Sequence, residues 1–160
     1  MRHFRAIKSL NLIQLLRLLQ LVLNTVIKRL KDKVLFVCIE NACRSQIAQA
    51  LTDMSFRTQL QAFSAGSHPA DQVNPKAIAS LKRYGIEVSN LKPKSVSDFI
   101  GEDFDFVITM GCGDDCPYFP GAINIDWNIP DPKNMNEKEF DEVRDTVSYT
   151  HLTLPTTDRV

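Results

Sequence analysis

One stretch limits the possible folds more than any other. The apolar run Val34-Leu-Phe-Val37 ends at Cys38, five residues intervene before Arg44-Ser45, and Ile47, Ala48, Leu51 and Met54 then follow at helical spacing. A short β-rich apolar run reads as a strand buried on both faces, and the spaced apolar residues read as the inner stripe of a helix. Ser45 is placed to cap that helix. Strand, loop and helix therefore follow one another directly.

The alternation continues downstream. Gln61-Ala-Phe-Ser64 reads as a second strand, closed by Gly66, His68 and Pro69, and Asn74-Pro75 opens a helix that runs to about Tyr84 and stops at Gly85. A short helix is expected near Ser95–Ile100, a third strand over Phe104–Met110, and a fourth over Ala122–Ile125, leading to Trp127. Glu137–Val147 begins a last helix with Phe140 and Val143 as apolar positions. Strands alternating with helices predict an α/β fold with a parallel sheet and right-handed crossovers. Ligands of such sheets bind at the carboxyl ends of the strands. Cys38, the Gly111–Pro117 loop and Asp131 all follow strands, so all three are expected to converge.

Composition bounds the rest. The chain has 160 residues, 44% hydrophobic and 24% charged, which suits one domain with a true core. Four cysteines without a cleavable secretory signal suggest reduced thiols and a cytoplasmic setting. Residues 1–33 carry eight Lys/Arg against one acid and the remainder eleven against eighteen, so an acidic domain, unsuited to nucleic acid, follows a basic extension. Within residues 1–32, Leu10–Leu30 reads as an amphipathic helix. Arg17 and a polar residue at every turn exclude a membrane span. This helix is expected to pack on the domain, to pair in a dimer or to be upstream sequence; contact of residues 10–30 with a membrane surface is the alternative. Residues 148–160 lack a helical pattern and resemble translated adapter sequence. The reading is therefore a domain at 33–147 with its last helix cut short and a foreign tail at 148–160, with a native disordered tail as the alternative.

Each part of the Cys38–Ser45 loop suits a tetrahedral anion. The N–H groups of Ile39, Glu40, Asn41, Ala42, Cys43 and Arg44 can point inward, and the start of the helix adds its positive end. Arg44 supplies a permanently charged planar fork for two oxygens. The same field favours a Cys38 thiolate, the form that attacks. Ser45 can donate to that sulfur, and Asn41 can brace the loop through side-chain bonds to backbone. Cys38 is thus the expected nucleophile of a thiol-based oxyanion site, against the alternative of an inert core cysteine beside a surface arginine.

Here the residues reach a resemblance. Val34–Leu51, reading VLFVCIENACRSQIAQAL, resembles the phosphate-binding loop of the low-molecular-weight protein tyrosine phosphatase superfamily. FSAGSHP at Phe63–Pro69, the helix at Asn74–Tyr84 and DFVITMGCGDDCPYFPG at Asp105–Gly121 resemble its arsenate reductase branch. The likeness spans about Lys33 to Val147. It implies a three-layer αβα sandwich around a four-stranded parallel sheet, with no catalytic metal and no bound cofactor. It also implies that Asp131, in the pair Asp131-Pro132, is the general acid that protonates the departing oxygen. Lys133 and Asn134 depart from the small residues usual after that pair in the reductase branch.

Cys112 and Cys116 separate two chemistries. A phosphatase passes its cysteinyl-phosphate to water, whereas a reductase must move two electrons and needs a further thiol. By resemblance to thioredoxin-coupled members, Cys38 forms a thiol–arsenate adduct, Cys112 attacks Cys38 as arsenite leaves, and Cys116 attacks Cys112. The resulting disulfide goes to an external thiol reductant, thioredoxin in the leading reading. A zinc site is the weaker account, because this cysteine pair lacks a partner pair. Cys43 reads as a packing residue. Arsenate reduction is the first expectation; hydrolysis of phosphotyrosine or a small phosphate monoester by Cys38, Arg44 and Asp131 is the second, and a non-catalytic oxyanion-binding module the third. His3, His68 and His151 read as non-catalytic, and Trp127, Tyr118 and Phe119 as walls of the site or as core.

Overall fold

The computed structural model describes residues 11–29, 31–113, 116 and 118–151. The chain divides into two compact units, residues 1–31 and 32–160. In the first, helix α1 (Leu12–Arg29) forms where the amphipathic pattern predicts it. Its first turn is closed reciprocally: Gln14 N donates to Asn11 Oδ1 at 2.9 Å, and Asn11 N donates to Gln14 Oε1 at 3.1 Å. The predicted end residues Leu10 and Leu30, like the remainder of residues 1–10, lie outside the described residues. No helix among the described residues is long and apolar enough to cross a membrane.

The second unit runs β1 (Asp32–Cys38), α2 (Arg44–Ser55), β2 (Leu60–Gly66), α3 (Pro75–Arg83), a 3₁₀ turn (Val96–Phe99), β3 (Phe106–Thr109), β4 (Ile123–Asp126) and α4 (Glu137–His151). The four strands form one parallel sheet in the order β2-β1-β3-β4. Val34 to Cys38 are all buried, as a central strand requires.

Alternation along β1 builds two cores. Val34, Phe36 and Cys38 face one side, where Ile47 and Leu51 of α2, Ala77 and Leu81 of α3, and Phe140, Val143 and Val147 of α4 cover them. Leu35 and Val37 face the other, covered by Val96 and Phe99 of the 3₁₀ turn together with Phe104, Cys112 and Phe119. The sheet is thus the middle of three layers, and the second covering layer is the thinner. In it Phe63, Phe99, Phe104 and Phe119 meet edge to face in sequence.

Chain order makes the carboxyl end of β1 a switch point. From β1 the chain passes to β2 on one side and later to β3 on the other, so the two connections part there and leave a crevice. Cys38 is the last residue of β1 and pairs with Gly66, the last of β2.

Two expectations need correction. Ser45 does not cap α2: the helix begins at Arg44, Cys43 stands before it without a side-chain cap bond, and Ser45 lies inside the first turn. The last helix does not stop at Val147. It continues through Ser148, Tyr149 and Thr150 to His151, because His151 extends the apolar stripe of Phe140, Val143 and Val147. Its ring, 2% exposed, lies 5.4 Å from Phe36 and 5.1 Å from Trp127. Residues 152–160 of the expected tail lie outside the described residues.

Candidate active site

The Cys38–Ser45 loop is strung from its carbonyls. Ser67 N donates to Cys38 O at 3.2 Å, His68 N to Ile39 O at 2.8 Å, Ala70 N to Glu40 O at 2.9 Å and Asn74 N to Ala42 O at 2.9 Å. The carbonyl of Asn41 accepts from Gln46 Nε2 at 3.1 Å. With the carbonyls held by the segment after β2, the peptide N–H groups are left available, which is what an anion nest requires. None of the N–H groups of Ile39 to Cys43 donates to another backbone group among the described residues.

Asn41 is the brace. It adopts φ 49°, a conformation asparagine tolerates better than most residues. Its Oδ1 accepts from the backbone N–H of Lys94 at 2.8 Å, and since that group only donates, the amide orientation is set. Nδ2 then donates to Ser45 Oγ at 2.7 Å. The Ser45 hydroxyl hydrogen is left for Cys38 Sγ, 3.0 Å away. The expected donation to the Cys38 sulfur thus has its geometry, through a buried chain of three side chains.

Arg44 reaches the same crevice from the first residue of α2. Its guanidinium, 7% exposed, donates from Nη2 to Asp131 Oδ2 at 2.9 Å and from Nη1 to Ile129 O at 3.3 Å. Room for it depends on Gly111, which has φ 72°; a Cβ there would lie 2.7 Å from Arg44 Nη1. Asp131, half exposed, also accepts from Lys133 N at 3.1 Å. Lys133 Nζ in turn pairs with Glu40, and this carboxylate holds the Lys133 ammonium pKa above its ordinary value. Cys38, Ile39, Glu40, Ala42, Cys43, Arg44, Asp131 and Lys133 line one cleft of about 100 Å³. Cys38, Arg44, Ser45 and Asp131 are therefore brought together as the sequence predicts.

The thiols divide. Cys38 and Cys43 are free and buried, while Cys112 and Cys116 form a disulfide with Cα atoms 5.8 Å apart. Burial, then the charges of Asp131, Cys38 and Glu40, push the Cys43 thiol up to about 12, so it stays protonated and unreactive at neutral pH. Cys112 packs with Leu35 and Val37, on the sheet face opposite to Cys38, and its Sγ lies 4.0 Å from Val37 O. Asp114, Asp115 and Pro117 of this loop lie outside the described residues. Trp127 is core, 5.6 Å from Phe36, and Phe119 is core in the second cluster, while Tyr118 is exposed. None of the three lines the cleft. Among the described residues no group of three or more His, Cys, Asp or Glu side chains is placed to hold a metal ion.

Several contributors lie outside the motif. Gly66 is in contact with the loop itself: a Cβ there would lie 2.5 Å from Ile39 O and 2.8 Å from Asn41 N. Gln46 bridges Asn41 O to Lys92 O, the latter at 2.7 Å. Ile129 works through its carbonyl. Backbone contacts of this kind carry no residue-type signal, although Gly66 at the end of an apolar strand was a visible hint.

A parallel sheet of this order, with a buried free cysteine at the switch point and a buried arginine in the same cleft, defines an α/β protein with the arrangement of a thiol-based oxyanion enzyme. Residues 33–116 match the profile of the low molecular weight phosphotyrosine protein phosphatases, and the chain belongs to that family. Arsenate reductase 2 of Staphylococcus epidermidis is 34% identical over 121 residues, covering 73% of this chain and 91% of the relative. Glutaredoxin arsenate reductase of Synechocystis is 33% identical over 118 residues, covering 72% and 89%. Among solved structures, an arsenate reductase in the phosphate binding state superposes with TM-score 0.68 at 31% identity, covering 77% of this chain and 95% of that one. The Corynebacterium glutamicum thioredoxin-dependent arsenate reductase gives TM-score 0.66 at 33% identity, covering 88% and 71%.

Proposed function

We propose that this protein reduces arsenate to arsenite by a thiol relay. The observation that carries the reading is the Cys112–Cys116 disulfide, formed at the end of the strand next to the one that ends at Cys38. A phosphatase needs no such pair.

In this reading the Cys38 thiolate attacks arsenic in the nest of Ile39 to Arg44, with Arg44 gripping two oxygens. Asp131 donates a proton to the departing oxygen, which leaves as water. The Cys112 thiolate then attacks Cys38 Sγ. The S–As electron pair goes to arsenic, arsenate becomes arsenite, and a Cys38–Cys112 disulfide remains. Attack by Cys116 on Cys112 frees the Cys38 thiolate, which Ser45 stabilises as a leaving group, and an external dithiol reduces the Cys112–Cys116 disulfide. Cys112 must cross from the opposite face of the sheet to reach Cys38. Positive φ at Gly111 (72°) and Gly113 (56°) supplies the hinges.

Thioredoxin is our choice of reductant, supported by the thioredoxin-dependent Corynebacterium relative. Such a relay suits a reducing cytoplasm. The chemistry needs no bound cofactor or metal, and it belongs to the second unit, whose first strand begins at Asp32 and not at the expected Lys33, with residues 1–31 as an extension. Arsenite production coupled to thioredoxin and its reductase tests the reading. The wild type should turn over repeatedly and Cys38→Ser and Cys112→Ser should not; full turnover by Cys112→Ser would overturn the relay.

A further inference from the structure

Two ion pairs, not one, join the oxyanion loop to the loop that carries Asp131. Arg44 pairs with Asp131, and Glu40 pairs with Lys133. All four residues line the same cleft. The first pair is the one that substrate must disturb, because an oxyanion gripped by Arg44 competes with the Asp131 carboxylate for the same guanidinium. If that were the sole tether, the acid would be released as it became needed. The second pair is the more exposed, with side chains 56% and 38% exposed, and neither of its side chains is one that grips the oxyanion. It acts on the acid at short range: Lys133 is two residues from Asp131, and its own N–H donates to Asp131 Oδ1.

Resting on the arsenate reading above, we propose that the Glu40–Lys133 pair is a clasp that keeps Asp131 over the bound oxyanion once Arg44 has turned to substrate. Lys133 is then a positioning residue. It has a second effect: its ammonium cancels the Glu40 carboxylate, which would otherwise repel a dianion at the entrance.

The two effects separate kinetically. Clasp loss lowers the rate at saturating substrate; an uncancelled carboxylate raises the substrate concentration needed. The experiment takes the reduced full-length chain, mixes it with arsenate without reductant, and follows disulfide formation in a single turnover as arsenate is varied. Lys133→Met should lower the saturating rate about ten-fold and raise the half-saturating arsenate several-fold. Glu40→Gln should lower the rate about as much without raising the half-saturating concentration. The double variant Glu40→Gln/Lys133→Met should recover half-saturation but not rate. The exchange Glu40→Lys/Lys133→Glu should recover much of the rate.

A saturating rate unchanged in Lys133→Met, with only half-saturation raised, would overturn the clasp and leave simple charge compensation. So would a double variant with additive rate losses. Failure of the wild type to form any arsenate-dependent disulfide would instead sink the reductase reading, which keeps the two failures apart.

Discussion

The oxyanion loop and the Cys112–Cys116 loop leave the carboxyl ends of adjacent parallel strands, yet they are held in opposite ways. Cys38, Ile39, Glu40 and Ala42 each have a carbonyl pinned by the segment after β2, and Asn41 and Ser45 complete a buried network beneath. At the other loop, Gly111 and Gly113 sit at positive φ, Tyr118 is exposed, and the disulfide and the burial of Cys112 supply the anchors. Anion binding rewards donors fixed in advance, since reorganisation would subtract from every hydrogen bond. A relay cysteine needs two positions. In the relay proposed above, the contrast is a division of labour between donors fixed in advance and a cysteine that changes position.

The sharpest way to break the comparison is at the sulfur atoms. Cys38→Ser should abolish arsenate-dependent disulfide formation, a loss on the order of 10⁴-fold or more in rate. Cys112→Ser should stop turnover but still allow arsenate to load Cys38, readable as an arsenic-bearing mass adduct. Next comes the room that glycine leaves. Gly111→Ala should cost activity through two routes, left-handed backbone strain and a Cβ 2.7 Å from Arg44 Nη1. Gly66→Ala should push the oxyanion loop, destabilising the fold by about 1–3 kcal/mol as overpacking does; urea unfolding measures this, and a loss of arsenate affinity should accompany it.

Smaller still is the loss of the brace. Asn41→Ala leaves Lys94 N and Ser45 Oγ without their partner, at a cost of about 1–3 kcal/mol and with weaker oxyanion binding. The corresponding change in the other loop, Tyr118→Ala, should leave stability within about 0.5 kcal/mol, as surface substitutions do. Equal losses at the two positions would erase the contrast.

The smallest effect is a pH dependence. Burial pulls the His151 pKa below its ordinary 6.5, so the unfolded chain takes up a proton more readily than the folded one. Its contribution is therefore complete above pH 6.5 and is lost as pH falls through that value toward the folded pKa. Melting curves between pH 8 and pH 5 should show that His151→Leu is less acid-sensitive than wild type. An identical pH slope would show that His151 is not the group responsible.

The same division governs what was legible in the chain. The strand to Cys38, the arginine and the following helix are contiguous, and each reports itself through residue type and period. Asp131 is more than eighty residues away in sequence and Asp-Pro is a common turn, so its place after a strand put it near the crevice while only resemblance gave it a role. Lys94, Gln46 and Ile129 act through backbone groups or backbone-directed amides, where residue identity says little. Of the two roles the residue type offers Ser45, helix cap and partner of the Cys38 sulfur, only the second matches the geometry. The end of α4 is not legible because residues 148–160 show no helical pattern; His151 holds it, its ring packing against Phe36 and Trp127 while its nitrogens bond Val147 O, Ala48 O and Thr52 Oγ1.

One measurement addresses the central claim directly. The fully reduced chain is treated with arsenate in the absence of any reductant, and its cysteine linkages are mapped by peptide mass spectrometry. The account predicts a Cys112–Cys116 disulfide formed in step with one equivalent of arsenite, and absent from Cys38→Ser. Four free thiols after that treatment, with arsenate unchanged, would contradict it.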